Sequence, residues 1–430
     1  MNEPAGAELV ERIWAHDATV WTGREEAQWL GWLDEPERML ERSDELVAFA
    51  AEADFGDVVL LGMGGSSLAP LVLSRAFAAE RFHVLDTTHP AAVRRLEHSL
   101  DLERTLFVVS SKSGTTTETR CHFDYFRARG GTFVAVTDPG SPLAEADGLA
   151  RVFHGEPTIG GRYSALSPFG LVPAVLMGLD LVRLLERAQE MRDACRLAEG
   201  NPGLELGLEL AETPFVRVEG DFGLWVEQLL AESTGKEGKG IVPVAEGGTP
   251  VEVRLPDPYE LGQEFFRWEF ATAVAGSRLG INPFDQPNVQ EAKDRTQAVL
   301  SEGGEPELEP EGDLDALLES AAEGDWVAIQ AFIDPAREDE LEPLRERVRE
   351  RGLPLAVGLG PRYLHSTGQL HKGGPNTVIA VQVVDDPGDE LPIPGRDFGF
   401  RRLIRAQAAG DYESLRERGR RVCRARLESS

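Results

Sequence analysis

The sequence predicts an α/β fold in which two parallel sheets are each covered by helices on both faces. Three observations indicate it: short apolar runs that end in glycine or hydroxyl residues, helical segments between those runs, and a second series of runs after residue 205. Alternation of strand and helix is typical of parallel sheets, because parallel neighbours need a crossover connection. We therefore expect two three-layer α/β/α domains, with additional helices at both termini.

The first series begins with a long segment of helical spacing, VWTGREEAQWLGWLDEPERMLERSDELVAFAAEA. The predicted strands that follow are DVVLLG, FHVLDTT, TLFVVSS, GTFVAVTDP and RVFHGE. The predicted helices between them are LAPLVLSRAFAAE, PAAVRRLEHSL and TETRCHFDYFRARG. We assign this series to a first domain at residues 45–200, preceded by a helical segment at 1–44.

The second series begins with the helical segments LGLELAE and GLWVEQLLAEST. Its predicted strands are GIVPVAE, DWVAIQAFID, PLAVGLG and TVIAVQVV. The acidic stretch SEGGEPELEPEGDLD lies between them and is typical of a solvated loop. We assign this series to a second domain at residues 205–385, followed by a helical tail at 386–430.

Composition excludes several function classes. The formal net charge of −30 disfavours binding to nucleic acid and to anionic membranes. No apolar run approaches the length of a membrane span, and the first residues lack the basic and apolar regions of a secretory signal. Cys121, Cys195 and Cys423 lie far apart, without zinc-ligand spacing, and one must stay unpaired. We expect a cytoplasmic protein that binds no metal.

Two loops that follow predicted strands are rich in glycine and hydroxyl residues: GMGGSS at 62–67 and SSKSGTT at 110–116. Ligands bind beyond the carboxyl ends of strands in an open parallel sheet. Glycines let the backbone approach an anion, and helix N-terminal amides and short hydroxyls donate hydrogen bonds to it. The pattern predicts a phosphate site, although capping of the following helices would also use serine and threonine. The candidate hydroxyls are those of Ser66, Ser111, Ser113, Thr115 and Thr116.

The first loop also permits a dinucleotide site. It begins as G-x-G, and Asp86 ends the next strand at the distance expected of a ribose-binding acid. However, Ser67 replaces the third glycine of that motif, and the second loop has no role in it. We therefore favour phosphate binding over a nicotinamide enzyme.

Lysine is rare in this chain, and its positions are informative. The 44 basic residues are arginines apart from Lys112, Lys236, Lys239, Lys293 and Lys372. A coding bias toward arginine accounts for the scarcity. Because an ammonium group can titrate where a guanidinium cannot, the remaining lysines are candidates for functional roles.

Six segments together resemble the glucose-6-phosphate isomerase (phosphoglucose isomerase) family, whose members have the sugar isomerase (SIS) fold. They are GMGGSSLAP, SSKSGTTTET, GGRYSALSPFGLVPAVLMGLDL, EQLLAESTGKEGKG, FATAVAGSRLGINPFDQPNVQEAK and LHSTGQLHKGGPN. The pattern is most similar to the isomerase half of fused transaldolase/phosphoglucose isomerase proteins. The resemblance implies two SIS-type domains, no cofactor, a phosphosugar substrate and a homodimer.

The resemblance also implies roles for individual residues. The implied phosphate cradle consists of Ser66, Ser111, Lys112, Ser113 and Thr116, with Gly65 close to the sugar. Glu232 of ESTGK is the implied catalytic base, and Gln228 and Gln286 are implied to hold the substrate. Arg162 is implied to lie beside the reacting carbons, and Lys293 and His371 to act in ring opening. His365, six residues earlier, is the alternative to His371.

Chemistry supports these roles. Aldose–ketose interconversion moves a proton between adjacent carbons through an enediolate, and one carboxylate such as Glu232 can remove and return it. A guanidinium such as that of Arg162 suits the developing negative charge. Lysine and histidine both titrate near neutrality when perturbed, as ring opening requires.

Two departures from the family pattern affect these roles. The family places its histidine segment before its lysine segment, whereas here LHSTGQLHKGGPN follows NPFDQPNVQEAK. The histidine and lysine therefore reach the site by another route or from a neighbouring subunit. Gly114 also stands where many members have a bulky residue.

The resulting hypothesis is an isomerase of glucose 6-phosphate and fructose 6-phosphate. One alternative is a non-catalytic SIS sensor of a sugar phosphate, which would need the cradle but not Glu232, Arg162 or Lys293. Another alternative is an isomerase that also accepts mannose 6-phosphate.

Overall fold

The computed structural model describes residues 6–301 and 303–427, without the side chains of residues 289–293. The helices are α1 Gly6–Trp14, α2 Glu35–Glu52, α3 Leu68–Ala76, α4 Pro90–Ser99, α5 Thr117–Arg127, α6 Pro168–Leu176, α7 Leu181–Ala194, α8 Pro202–Ala211, α9 Phe222–Thr234, α10 Leu261–Leu279, α11 Val289–Ser301, α12 Leu314–Glu319, α13 Glu342–Arg349, α14 Gly368–Gly373 and α15 Phe400–Glu417. The strands are β1 Asp57–Leu61, β2 Phe82–Leu85, β3 Thr105–Ser110, β4 Thr132–Thr137, β5 Arg151–His154, β6 Phe215–Arg217, β7 Val242–Pro243, β8 Thr249–Pro250, β9 Trp326–Phe332, β10 Leu355–Leu359, β11 Val378–Val384 and β12 Arg421–Arg426.

The first sheet contains the five strands predicted for the first series. They are parallel and lie in the order β2-β1-β3-β4-β5. Successive residues of a strand point to opposite faces of a sheet, so Val108 and Val109 enter separate hydrophobic clusters. The sheet is therefore buried on both faces, as continuous apolar strands require.

The second main sheet is also parallel, in the order β10-β9-β11-β12. Val381 packs on one face and Val378 on the other, in separate clusters. The predicted fold class, with two parallel α/β sheets, is confirmed.

The segment after residue 386, predicted to be helical, contains α15 and also the strand β12. This strand pairs in parallel with β11, and Cys423 enters the core beneath the sheet. Three of its six residues are arginines, so the segment lacks the apolar pattern that predicts a strand. Arg424 nevertheless is buried, because its Nε donates to Gln382 Oε1 at 2.7 Å.

Two other predicted elements differ from the structure. The segment GIVPVAE contributes only Val242–Pro243, in a small sheet of order β7-β6-β8 outside the main sheet. Pro243 lacks the amide needed to extend a strand ladder. The helical spacing at the start of the first series is divided between α2 and short 3₁₀ turns at Ala18–Val20, Glu26–Trp29 and Gly31–Leu33.

Helix α15 lies between the two main sheets. Phe400 and Leu403 join the core of the first sheet, whereas Ile404 and Ala408 pack with Phe332 of the second. Among the described residues, no helix is long and apolar enough to span a bilayer.

Candidate active site

The two hydroxyl-rich loops lie together at the carboxyl edge of the first sheet. One follows β1 and the other follows β3, which are neighbours in that sheet. A Cβ added at Gly62 would lie 3.4 Å from Ser110 Cβ, so the loops touch. Ser111 Oγ and Thr116 Oγ1 are 2.9 Å apart, and Ser66 and Ser111 are buried.

The helices that follow these loops begin without side-chain caps in the described structure. Thr116 is the N-cap of α5, and Ser67 is the N-cap of α3, but neither hydroxyl bonds a helix amide. Instead, Thr116 pairs with Ser111, and Ser67 Oγ donates to Gly64 O at 3.2 Å. The capping alternative therefore does not explain these hydroxyls, because no side chain of the described residues caps either helix.

Gly114 and Lys112 shape the second loop. Gly114 has a φ of +68°, and a Cβ there would lie 2.8 Å from Leu143 N. A bulky residue is thus excluded at this position by both backbone conformation and space. The Lys112 ammonium forms an ion pair with Asp138 and donates to Glu156 O at 3.3 Å. Ser113 is exposed, and its Oγ pairs with Thr115 Oγ1 at 2.9 Å.

Two consecutive glycines of the first loop connect the cradle to the other candidate residues. A Cβ on Gly65 would lie 2.1 Å from Gly161 O, next to Arg162. A Cβ on Gly64 would lie 3.0 Å from both Gln228 Nε2 and His365 Cβ. These approaches require glycine, and they bring α9, the Arg162 turn and the His365 turn against the loop.

Arg162 is buried in a network of fixed acceptors. Its Nε donates to Ser233 Oγ at 2.8 Å, and its Nη1 donates to Gln286 Oε1 at 2.7 Å. Its Nη2 donates to the carbonyls of Pro283 and Asp285 at 2.7 and 2.9 Å. A guanidinium is the side chain that can satisfy this fork of acceptors.

Glu232 lies near the end of α9 and faces Arg162. The distance from Glu232 Oε1 to Arg162 Nη1 is 3.6 Å, and Gln228 Nε2 donates to Glu232 Oε2 at 3.0 Å. Gln228 Nε2 also donates to His365 O at 2.9 Å. Within the described part of the chain, Gln228 Oε1 is buried without a hydrogen-bond partner. The structure therefore brings together Glu232, Arg162, Gln228 and Gln286.

Lys236, which follows α9, is a buried cation beside this group. Its Nζ donates to Asn282 O at 2.7 Å and to Asp285 Oδ1 at 2.6 Å. It thereby anchors the segment that carries the acceptors of Arg162. Burial and the charge of Arg162 lower the pKa of Lys236 from 10.5 to about 8.

This pKa predicts a pH-dependent stability. Between pH 8 and pH 10.5 the unfolded chain binds more protons at Lys236 than the folded protein does, so stability rises with pH in this window. We expect the free energy of unfolding of the protein, minus that of Lys236→Met, to rise by about 3 kcal/mol across it. Urea unfolding at both ends of the window measures this difference.

Lys239→Met is the matched control, since Lys239 is exposed and donates to Leu279 O at 2.7 Å. Its pH dependence should parallel that of the unmodified protein. If the free energy of unfolding of Lys236→Met also varied with pH in parallel with that of the unmodified protein, the lowered pKa of Lys236 would be contradicted.

His365, the alternative to His371, lies at the site. Its turn, Arg362–His365, follows β10, and its Nε2 lies 2.8 Å from Glu118 Oε1. Glu118 was not predicted; as the acid of the first turn of α5, it has the pattern of an ordinary solvated residue. Its position directly after the hydroxyl-rich loop is the feature of the sequence that could have indicated a role at the site.

His371, which the resemblance implies for ring opening, has other contacts, and its role stays a prediction. It is buried on α14 between the rings of Trp326 and Tyr363, and its Nδ1 bonds Gln330 Nε2 at 2.8 Å. Burial and the charge of Lys372 lower the pKa of His371 to about 3. The geometry therefore favours His365 as the histidine of the site.

Two other sequence hypotheses have different outcomes. Lys293 lies in α11, but its side chain is outside the described residues, so its role stays a prediction. Asp86, the acid of the dinucleotide alternative, lies 3.3 Å from Arg362 Nη1 in an ion pair.

Comparison with known proteins finds similarity in the first half of the chain. Residues 42–202 match the family model described as phosphoglucose isomerase. A glucose-6-phosphate isomerase from Trichormus variabilis is 36% identical over 214 residues, covering 43% of this chain and 40% of the relative. One from Thermus thermophilus is 38% identical over 179 residues, covering 38% of this chain and 43% of the relative. The resemblance to phosphoglucose isomerases is confirmed.

The chain spans less than half the length of these two phosphoglucose isomerases. The region matched by the family model contains both hydroxyl-rich loops and Arg162, whereas Glu232, Gln228 and His365 lie beyond it. A crystal structure of a glucose-6-phosphate isomerase from Chlamydia trachomatis aligns with a TM-score of 0.53 at 21% identity, covering 68% of this chain and 78% of that chain. This likeness is one of fold.

Proposed function

We propose that the protein interconverts glucose 6-phosphate and fructose 6-phosphate. The observation that carries this proposal is the placement of the Glu232 carboxylate 3.6 Å from the Arg162 guanidinium, next to loops suited to a phosphoryl group. A base and a fixed cation in one place match the needs of an enediolate. The confirmed family resemblance supports the same reaction.

The proposed phosphate site is formed by the two loops that follow β1 and β3. The uncapped amides of α3 and α5, together with Ser66, Ser111 and Thr116, would donate to the phosphoryl oxygens. Lys112 and Ser113 would complete the site; in this role the Lys112 ammonium also offsets the negative charge of Asp138.

Ring opening is proposed to use His365, with Glu118 orienting it. A histidine that donates one ring N–H to a carboxylate keeps its other nitrogen available for proton transfer. Lys293 remains a proposed partner in this step. Glu232 would then take the proton from C2 and return it to C1, while Arg162 stabilises the intervening negative charge. Gln286 and the unpartnered Gln228 Oε1 would bind substrate hydroxyls.

A coupled assay with purified protein tests the proposed function. We expect glucose 6-phosphate and fructose 6-phosphate to be interconverted, with mannose 6-phosphate tested at the same concentration. Binding of these sugars without turnover would instead support a sensor. The absence of both binding and turnover would contradict the proposed site as a whole.

The two histidines should differ in mutational effect. His365→Asn should lower kcat by about 100-fold, since it removes a proton-transfer group. His371→Asn should leave kcat nearly unchanged but lower the melting temperature, because His371 fills a packed space between two aromatic rings. Steady-state kinetics and thermal unfolding of both variants measure these effects. The reverse pattern would restore His371 as the ring-opening histidine.

The remaining predictions on assembly and location are proposals too. We propose a homodimer and a cytoplasmic location, in which the three buried, free cysteines stay reduced. His365 contacts the loop and α9 of its own chain, so the proposed chemistry does not need a histidine from a second subunit. The domain ranges 45–200 and 205–385 are likewise proposed units.

A further inference from the structure

Helix α15 contributes polar side chains to the His365 turn from outside the site described above. Gln407 and Asp411 are both buried and lie four residues apart, so they share one face of the helix. Gln407 contacts Glu118, the partner of His365. Asp411 accepts from Tyr363 Oη at 2.6 Å. Tyr363 lies two residues before His365 in the same turn. One face of α15 therefore makes two contacts with this region: Gln407 bonds the Glu118 carboxylate, and Asp411 bonds Tyr363 of the turn.

The Gln407 amide is fixed at both of its polar atoms. Its Oε1 accepts from Thr88 Oγ1 at 2.7 Å, and its Nε2 donates to Glu118 Oε1 at 2.7 Å. Because the Thr88 hydroxyl donates to the amide oxygen, the amide nitrogen is directed at Glu118. Thr88 is 0% and Gln407 2% exposed, so water does not compete for these bonds.

Glu118 Oε1 receives two donors. One is Gln407 Nε2, and the other is His365 Nε2 at 2.8 Å. A carboxylate beside one ring nitrogen favours the tautomer that carries its proton there. Loss of the Gln407 donor would remove one of the bonds that orient this carboxylate, and so change the acceptor that faces the histidine.

We propose that Gln407 is a positioning residue for ring opening. By donating to Glu118, it fixes the carboxylate against His365 and so sets both the tautomer and the direction of the imidazole. This inference rests on the proposed function, and it adds to the proposed chemistry a residue that touches no substrate. On the same face of α15, Asp411 accepts from Tyr363 of the turn and forms an ion pair with Lys372 of α14.

The first test reads the histidine directly. The full chain is labelled with ¹⁵N-histidine, and the His365 signals are assigned by their loss in His365→Asn. We expect Gln407→Leu to change the ratio of the two His365 tautomers, and Thr88→Val to change it in the same direction by less. Ser414→Ala is the control, because Ser414 is a buried residue of α15 that bonds Gly410 O at 2.9 Å within the helix. Unchanged His365 signals in Gln407→Leu would overturn the proposal.

The second test reads catalysis. We expect Gln407→Leu to lower kcat by about 10- to 100-fold, as misplacement of a catalytic group does, with little change in KM and no effect in Ser414→Ala. A fall in kcat with unchanged His365 signals would overturn the positioning role. If the unmodified protein shows no turnover, the proposed function fails while the tautomer ratio still decides the proposal. If Gln407→Leu does not fold, Thr88→Val decides it by the same criteria.

Discussion

Glu232→Gln should lower kcat for glucose 6-phosphate isomerisation by about 1,000-fold, because an amide cannot accept the C2 proton. Phosphosugar affinity should change little, since the phosphate loops lie on another part of the site. The substituted side chain has the same shape, and Gln228 Nε2, now 3.0 Å from Glu232 Oε2, retains an oxygen acceptor there. Steady-state kinetics and calorimetric titration with fructose 6-phosphate measure the two effects.

Glu237→Gln is the matched control for this substitution. Glu237 lies five residues later, outside α9, and is exposed. Its replacement should leave both kcat and affinity unchanged. Full activity in Glu232→Gln would remove Glu232 as the base, and loss of binding in that variant would show that its main role is to hold the substrate.

Arg162→Lys should reduce both activity and stability. Lysine cannot reach the four acceptors that the guanidinium satisfies, so the buried oxygens of Pro283 and Ser233 would lose a donor. We expect kcat to fall by about 100- to 1,000-fold from loss of charge stabilisation. We expect the free energy of unfolding to fall by about 3 kcal/mol from the unsatisfied groups. Kinetics and urea unfolding measure the two effects.

Arg192→Lys separates these two effects. Arg192 is also buried, and its Nε donates to Leu33 O at 2.8 Å, but it lies on α7 away from the site. This variant should lose comparable stability without loss of kcat. Equal loss of activity in both variants would mean that Arg162 acts only through the fold.

Strands that are buried on both faces could be predicted, because β1, β3, β9 and β11 are almost entirely apolar. Strand β12 could not, since an edge strand can carry arginines whose charges find partners elsewhere in the molecule. The position of β7 depended on tertiary pairing that no local pattern encodes.

In the candidate site, too, local motifs could be predicted from the sequence, whereas contacts between distant residues could not. The two loops, Glu232 and Arg162 stand out as local motifs, and the structure brings them together. His365 and His371 share one short segment, but His365 ends a 3₁₀ turn beside Glu118 whereas His371 lies in α14 beside Gln330. Glu118 comes close to His365 across 247 residues of chain, a proximity that only the fold creates.

The position of α15 late in the chain has a consequence for synthesis on the ribosome. A nascent chain that ends before Phe400 already contains both hydroxyl-rich loops, Glu232 and His365, but it lacks Gln407 and Asp411. Such a chain therefore cannot yet make the bond from Gln407 to Glu118 or the bond from Tyr363 to Asp411. We therefore expect the His365 turn to gain its contacts with α15 only after the segments that carry the two loops and Glu232 have been synthesised.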